Sequence, residues 1–216
     1  MHVIYGGTFD PIHHGHLRLA LEVCDALAVP AIHLVPCHIP PHRGDTGAGS
    51  QQRLELIRQA IAGEGALQVD DRELRRAGAS YTADTLRQLR EELGPEEPLA
   101  MVVGTDAFAS FDRWREWQAI PELAHIIVVQ RPGAKLPEGS GAASLVRQRR
   151  AAGGEALHLQ PCGLVLELDP PLLDISATGI RQRIADGRSP RYLMPDTVWQ
   201  TIRANGLYGA CTSARV

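Results

Sequence analysis

Lysine is nearly missing from this chain: Lys135 is the only one in 216 residues, in the Pro- and Gly-rich stretch R-P-G-A-K-L-P. A phosphate loop of the G-K-[ST] type therefore has no counterpart here. A Schiff-base mechanism would have only that loop lysine to draw on. Any phosphate recognition falls to arginine, histidine, hydroxyls and backbone N–H groups. No apolar run approaches the length of a membrane span, and the chain enters a strand at once with no signal-peptide pattern, so neither membrane nor export is expected. The four cysteines (Cys24, Cys37, Cys162, Cys211) are far apart and form no C-x-x-C pair. Reduced thiols in a cytoplasmic protein are the expectation. A basic excess is missing too: the formal net charge is −3 and the pI about 6.3. A general nucleic-acid binder would carry a basic stripe, so no nucleic-acid partner is expected.

What remains is ordinary for a folded domain. Hydrophobic residues are 44% and charged residues 22% of the chain, and the length suits one large domain or two small ones. No internal repeat and no long linker divides it, so residues 1–208 are read as one domain and 209–216 as a disordered tail. The histidines are uneven: His2, His13, His14, His16, His33, His38 and His42 crowd the first fifth.

The stretch from Tyr5 to Leu17, Y-G-G-T-F-D-P-I-H-H-G-H-L, organises the rest. Val3, Ile4 and Tyr5 read as a buried strand, and Gly6 and Gly7 as a tight turn that lets an anion approach the backbone. Leu17, Leu21, Cys24 and Ala28 follow at helical spacing, so His13 and His16 fall on a helix's first turn. Unpaired N–H groups, the positive dipole end and two imidazoles make a site for a phosphate chain. Two histidines three apart could instead share a metal, but no cysteine or carboxylate pair completes a set, and no metal site is expected.

The chain then alternates. Strands are read at 31–36, 66–70, 99–103, 125–130 and 164–168. A helix from Ser50 to about Ala62 buries Leu54, Ile57 and Ile61, and one capped at Thr82 buries Leu86, Leu89 and Leu93. Trp114 and Trp117 are spaced as on one helix side, at least one of them core; a short helix is read at 142–151. Asp174–Arg181 opens another helix, with Ser176 at its cap, and a last helix runs from about Pro195 to Asn205. Strand–helix alternation means an α/β fold with a parallel sheet. Gly104 and Asp106 follow the most apolar strand, and P-P-H-R follows another, where such sheets bind ligands.

The opening G-G-T-F-D-P-I-H-H-G-H resembles the signature of the adenylyltransferase and cytidylyltransferase superfamily. Taken with P-P-H-R, E-L-R-R-x-x-x-S-Y-T-x-D-T-L, G-T-D-x-F-x-x-F-x-x-W, V-x-x-R-P and I-S-A-T-x-I-R, the chain resembles bacterial nicotinate-mononucleotide adenylyltransferases over nearly its whole length. The resemblance implies a Rossmann-like fold, with a mostly parallel sheet and helices on both faces. It implies transfer of the adenylyl group of ATP to nicotinate mononucleotide, with Mg²⁺ carried by the ATP phosphates. Carried over by position, Gly7, Thr8, Phe9, His13 and His16 would border the ATP phosphates and ribose, and Gly104 and Asp106 the adenine and its ribose. Ser176, Thr178 and Arg181 would hold the outer phosphates, with His13, His16 and Arg181 catalytic. His42, Arg43, Tyr81, Thr82, Trp114 and Arg131 would surround the mononucleotide. Ala177 stands where the family often has serine, and Arg43 where it often has lysine. Phosphopantetheine adenylyltransferase and a non-catalytic nucleotide sensor are the alternatives; oligomeric state is left open, a homo-oligomer included.

Overall fold

A computed structural model describes residues 1–40, 46–130 and 136–211. Six parallel strands form one sheet: β1 (His2–Gly7), β2 (Ile32–Pro36), β3 (Leu67–Val69), β4 (Leu99–Gly104), β5 (His125–Val129) and β6 (Val165–Leu168). Their order is β3-β2-β1-β4-β5-β6. This is the doubly wound arrangement, in which strand order reverses between β1 and β4 and a crevice opens beyond their carboxyl ends.

Side chains alternate across the sheet, and each set meets its own helix layer. Val3, Tyr5, Leu34, Val102 and Ile127 pack under α1 (His14–Leu27), α2 (Ser50–Ala60), α7 (Ala177–Ala185) and α8 (Asp196–Ala204). Ile4, Val35, Met101, Val103 and Val128 pack under α3 (Thr82–Leu93), α5 (Ile120–Leu123) and α6 (Gly141–Arg149). Burial on both faces explains why strands such as L-A-M-V-V carry no polar alternation.

Several local expectations are corrected. Gly6 and Gly7 belong to β1, and the turn is made by Phe9 (φ 48°) and the cis Asp10–Pro11 bond. The buried side of α1 is Leu19, Ala20, Val23, Cys24 and Leu27, whereas Ala28 is an exposed left-handed cap (φ 50°). Gly49 and Tyr81, not Ser50 and Thr82, hold the cap positions of α2 and α3. After β4 comes the single turn α4 (Thr105–Phe108), then two 3-10 turns at Phe111–Arg113 and Trp117–Ala119 in place of one helix. The break is at Glu116, which is left-handed (φ 53°). Of the residues read as a tail, Gly209 ends a 3-10 turn (Leu207–Gly209) and Ala210 is buried, while 212–216 lie outside the described residues.

Candidate active site

A cavity of about 660 Å³ opens at the reversal point. Its walls come from the carboxyl ends of β1 and β4 and the starts of α1, α3 and α7.

At one end the opening motif folds on itself. Beyond β1 the chain reverses at Phe9, and the ring returns over the strand it has just left. A Cβ on Gly7 would lie 2.9 Å from Phe9 Cζ, so the ring's position requires glycine at 7. Phe9 meets His16 edge-on at 5.1 Å and Tyr5 at 5.5 Å. His13, only 3% exposed, stacks on His16 with ring centroids 3.7 Å apart. The two imidazoles are thus held by aromatic packing at the start of α1, with little freedom to turn away. Gly15 joins this motif to the last one: a Cβ there would sit 3.0 Å from the His13 ring and 3.3 Å from the Ile175 carbonyl.

Ile175, Ser176, Ala177 and Thr178 form the facing wall. Ser176 caps α7, its Oγ accepting from the Gly179 amide at 3.1 Å, which leaves the hydroxyl proton to donate elsewhere. Ala177 presents a methyl group where serine would have added a donor. Arg181 does not line the cavity: its guanidinium donates to the Asp10 carbonyl at 2.6 Å and to Thr178 Oγ1 at 3.3 Å. These contacts use two of its five N–H groups, one turn behind Thr178.

At the far end lie Ser80, Tyr81, Thr82 and Thr85 at the start of α3, with Trp114 and Arg115 opposite. Trp114 packs on Phe111 at 5.4 Å and also lines the cavity; Trp117 packs on Phe111 at 5.9 Å and does not reach it. Gly104 and Asp106 lie on the wall between the two ends. The structure therefore brings Gly7, Thr8, Phe9, His13, His16, Tyr81, Thr82, Gly104, Asp106, Trp114, Ser176 and Thr178 to one cavity. His42, Arg43 and Arg131 lie outside the described residues.

Three supporting residues were not anticipated from the sequence. Asp10, 5% exposed, accepts from the Gly47 amide (2.9 Å), the Ala48 amide (3.2 Å) and Tyr208 Oη (2.8 Å). Burial, and then the Asp10 charge, push the Tyr208 phenol well above its usual range. Arg53 is fully buried and meets carbonyls: Thr8 (2.6 Å), Cys37 (2.7 Å), His38 (3.1 Å) and Ala48 (3.2 Å). It ties the loops after β1 and β2 to the start of α2. Buried Glu73 accepts from Thr85 Oγ1 at 2.6 Å, fixing the first turn of α3. Asp10 and Glu73 were legible only as parts of motifs; Arg53 lies in a plain amphipathic helix, where a charged residue on the inner side was the one available signal.

Comparison with known proteins follows the same outline. Residues 4–183 match the family described as cytidylyltransferase-like. A protein of Marinobacter nauticus named probable nicotinate-nucleotide adenylyltransferase is 75% identical over 97% of this chain and 97% of its own. One of the same name from Cellvibrio japonicus is 49% identical over 95% of this chain and 97% of its own. Among solved structures, Plasmodium falciparum nicotinic acid mononucleotide adenylyltransferase complexed with NaAD superposes with a TM-score of 0.72 at 19% identity, covering 98% of both chains. That likeness speaks for the fold, and the close relatives speak for the kind of enzyme. The chain belongs to the cytidylyltransferase-like family and, within it, to the nicotinate-nucleotide adenylyltransferases.

Proposed function

We propose that the cavity joins the adenylyl group of ATP to nicotinate mononucleotide, releasing pyrophosphate and forming nicotinate adenine dinucleotide, a step of NAD biosynthesis. The observation that carries this reading is the convergence of two helix starts, α1 with His13 and His16 and α7 with Ser176 and Thr178, at one end of a cavity whose other end holds Tyr81, Thr82 and Trp114. The first end is anion-ready; the second offers an indole face and helix N–H groups.

The acceptor's 5′-phosphate is already a nucleophile, so no general base is needed. One of its oxygens attacks the α-phosphorus in line, a P–O bond forms, and the bond from the α-phosphorus to the bridging oxygen breaks with its electrons leaving on pyrophosphate. The protein's part is positioning and charge stabilisation. His16 donates to the α-phosphate as charge builds there, and His13 to the neighbouring phosphates. Gly7, Thr8 and Phe9 border the phosphates and ribose; Gly104 and Asp106 border adenine and its ribose. Ser176, Thr178 and Arg181 hold the outer phosphates, Arg181 through the N–H groups that Asp10 and Thr178 leave over. Tyr81, Thr82 and Trp114, with His42, Arg43 and Arg131, surround the mononucleotide.

Mg²⁺ enters this reading on the phosphates. It keeps several waters and takes phosphate oxygens with one or two carboxylates at most. Asp10, the buried carboxylate at that end, already accepts from Gly47, Ala48 and Tyr208, which fits an ion held by the nucleotide and not by a protein cage. Mg²⁺ would neutralise charge on the departing pyrophosphate. All four cysteines are free, which supports a cytoplasmic setting.

The test is pyrophosphate release from ATP and Mg²⁺ with nicotinate mononucleotide, nicotinamide mononucleotide and phosphopantetheine side by side. Release with the first, and much less with the others, is the expected result. Release with phosphopantetheine alone would overturn the assignments at Tyr81, Thr82 and Trp114.

A further inference from the structure

Among the described residues, Arg115 is the one permanently charged cation on the cavity wall; the carboxylates there are Asp10, Glu73 and Asp106. Asp10 is held by three donors and Glu73 by Thr85. Arg115 follows Trp114 directly and reaches across to the start of α3, its guanidinium carbon 4.6 Å from the centroid of the Tyr81 ring. It therefore lies against the phenol, next in sequence to the indole, at the end of the cavity proposed to take the mononucleotide's ring.

The guanidinium is placed there without being used up. Its contacts with acids are long: Nη1 to Asp84 at 3.8 Å and Nε to Glu116 at 3.4 Å. Both acids have a nearer cation in Arg87, which meets Asp84 at 3.2 Å and also pairs with Glu116. Arg115 is thus the outer member of a four-charge cluster whose two acids are already served. Half of its side chain is exposed, so it pays little to turn its fork toward an incoming anion.

We propose that Arg115 is a specificity-determining residue that favours an acceptor whose pyridine ring bears a carboxylate over one bearing a carboxamide. The inference rests on the adenylyl-transfer reading above. With the ring against Trp114, a carboxylate gains attraction from the guanidinium that a neutral amide does not. Because the site is open to water and Asp84 and Glu116 lie nearby, the gain is that of a rim charge, felt in capture of the acceptor and weakened by salt.

The experiment compares wild type, Arg115→Gln and Arg115→Lys by steady-state pyrophosphate release with nicotinate and nicotinamide mononucleotide at two salt concentrations. In Arg115→Gln the ratio of kcat/KM for acid over amide should fall about tenfold, through KM for the acid and not kcat. Arg115→Lys should recover part of that ratio, because it keeps the charge, and added salt should lower the wild-type ratio more than that of Arg115→Gln. An unchanged ratio in Arg115→Gln, including an equal loss with both acceptors, would overturn the proposal and leave Arg115 as a structural prop for Tyr81. Wild type releasing pyrophosphate with neither mononucleotide would instead fell the reaction assignment itself.

Discussion

At the scale of single residues, the end of the cavity proposed to take the phosphates depends on rings packed on rings. Removing the His16 imidazole deletes both a donor and the face on which His13 stacks. His16→Ala should lower kcat by ~10²–10³, the usual cost of one transition-state donor, with the fold intact by circular dichroism. Wild-type kcat in that variant would void its assigned role. Gly7→Ala is a different perturbation. The Gly7 backbone does not need glycine's positive φ, but the added methyl carbon falls 2.9 Å from Phe9 Cζ. The ring must move, and His16 with it. A loss of roughly 10–100-fold in kcat/KM is expected, since misplacement by about 1 Å can cost 10²-fold. The motif showed which residues would gather here, but not that the turn sits at Phe9. A left-handed phenylalanine has no local signature: two glycines stood ready to take the turn, and it is the packing of Phe9 on Tyr5 and His16 that decides otherwise.

At the scale of elements, the strands were legible as short apolar runs buried on both faces, and the long helices by their periodic buried face. All six strands fall within two residues of their expected bounds, and Ile180, Ile184, Leu86 and Leu89 face inward as their spacing requires. Trp114 and Trp117 have helical spacing too, yet Trp114 is the extended residue that ends the first 3-10 turn and Trp117 opens the second, with the break at Glu116; both indoles pack on Phe111. Spacing alone cannot tell those arrangements apart. Nor can it show that α2 reaches into the site through Arg53, since its four carbonyl partners lie on three stretches of chain. Arg53→Met keeps much of the side-chain volume but leaves those buried acceptors without their donor. At ~1–3 kcal/mol for each acceptor that finds no water, a loss of about 2–4 kcal/mol is expected, read by urea unfolding. A larger KM for ATP should accompany it, because the Thr8 carbonyl is one of the four.

For the molecule as a whole, acid should be destabilising in a defined window. Burial is the main cause that lowers His2, to about 4, with His33 and Arg72 adding to it and Asp70 opposing. Burial likewise lowers His33 and His125. His125 is fully buried, its Nε2–H donating to the Gln160 carbonyl (2.9 Å) while Nδ1 accepts from the Leu164 amide (3.1 Å), an arrangement that suits only the neutral ring. Below pH 6.5 the unfolded chain takes up protons that the folded one refuses, so stability falls with pH toward about 4 and is regained above 6.5. Tm measured from pH 7.5 to 4.5 should decline over that interval. A flat profile would mean that these rings are charged, or wet, in the fold.

Asp10 and Tyr208 stand almost two hundred positions apart and share one hydrogen bond. On the ribosome, the residues that shape the loop after β1 are among the first made, and the phenol that completes the shell around Asp10 is among the last. The sheet can assemble earlier, since β6 ends at Leu168. The loop must wait for some forty residues more. A nascent chain at that stage would hold a paired sheet whose one face still waits for α7 and α8, and an unfinished site.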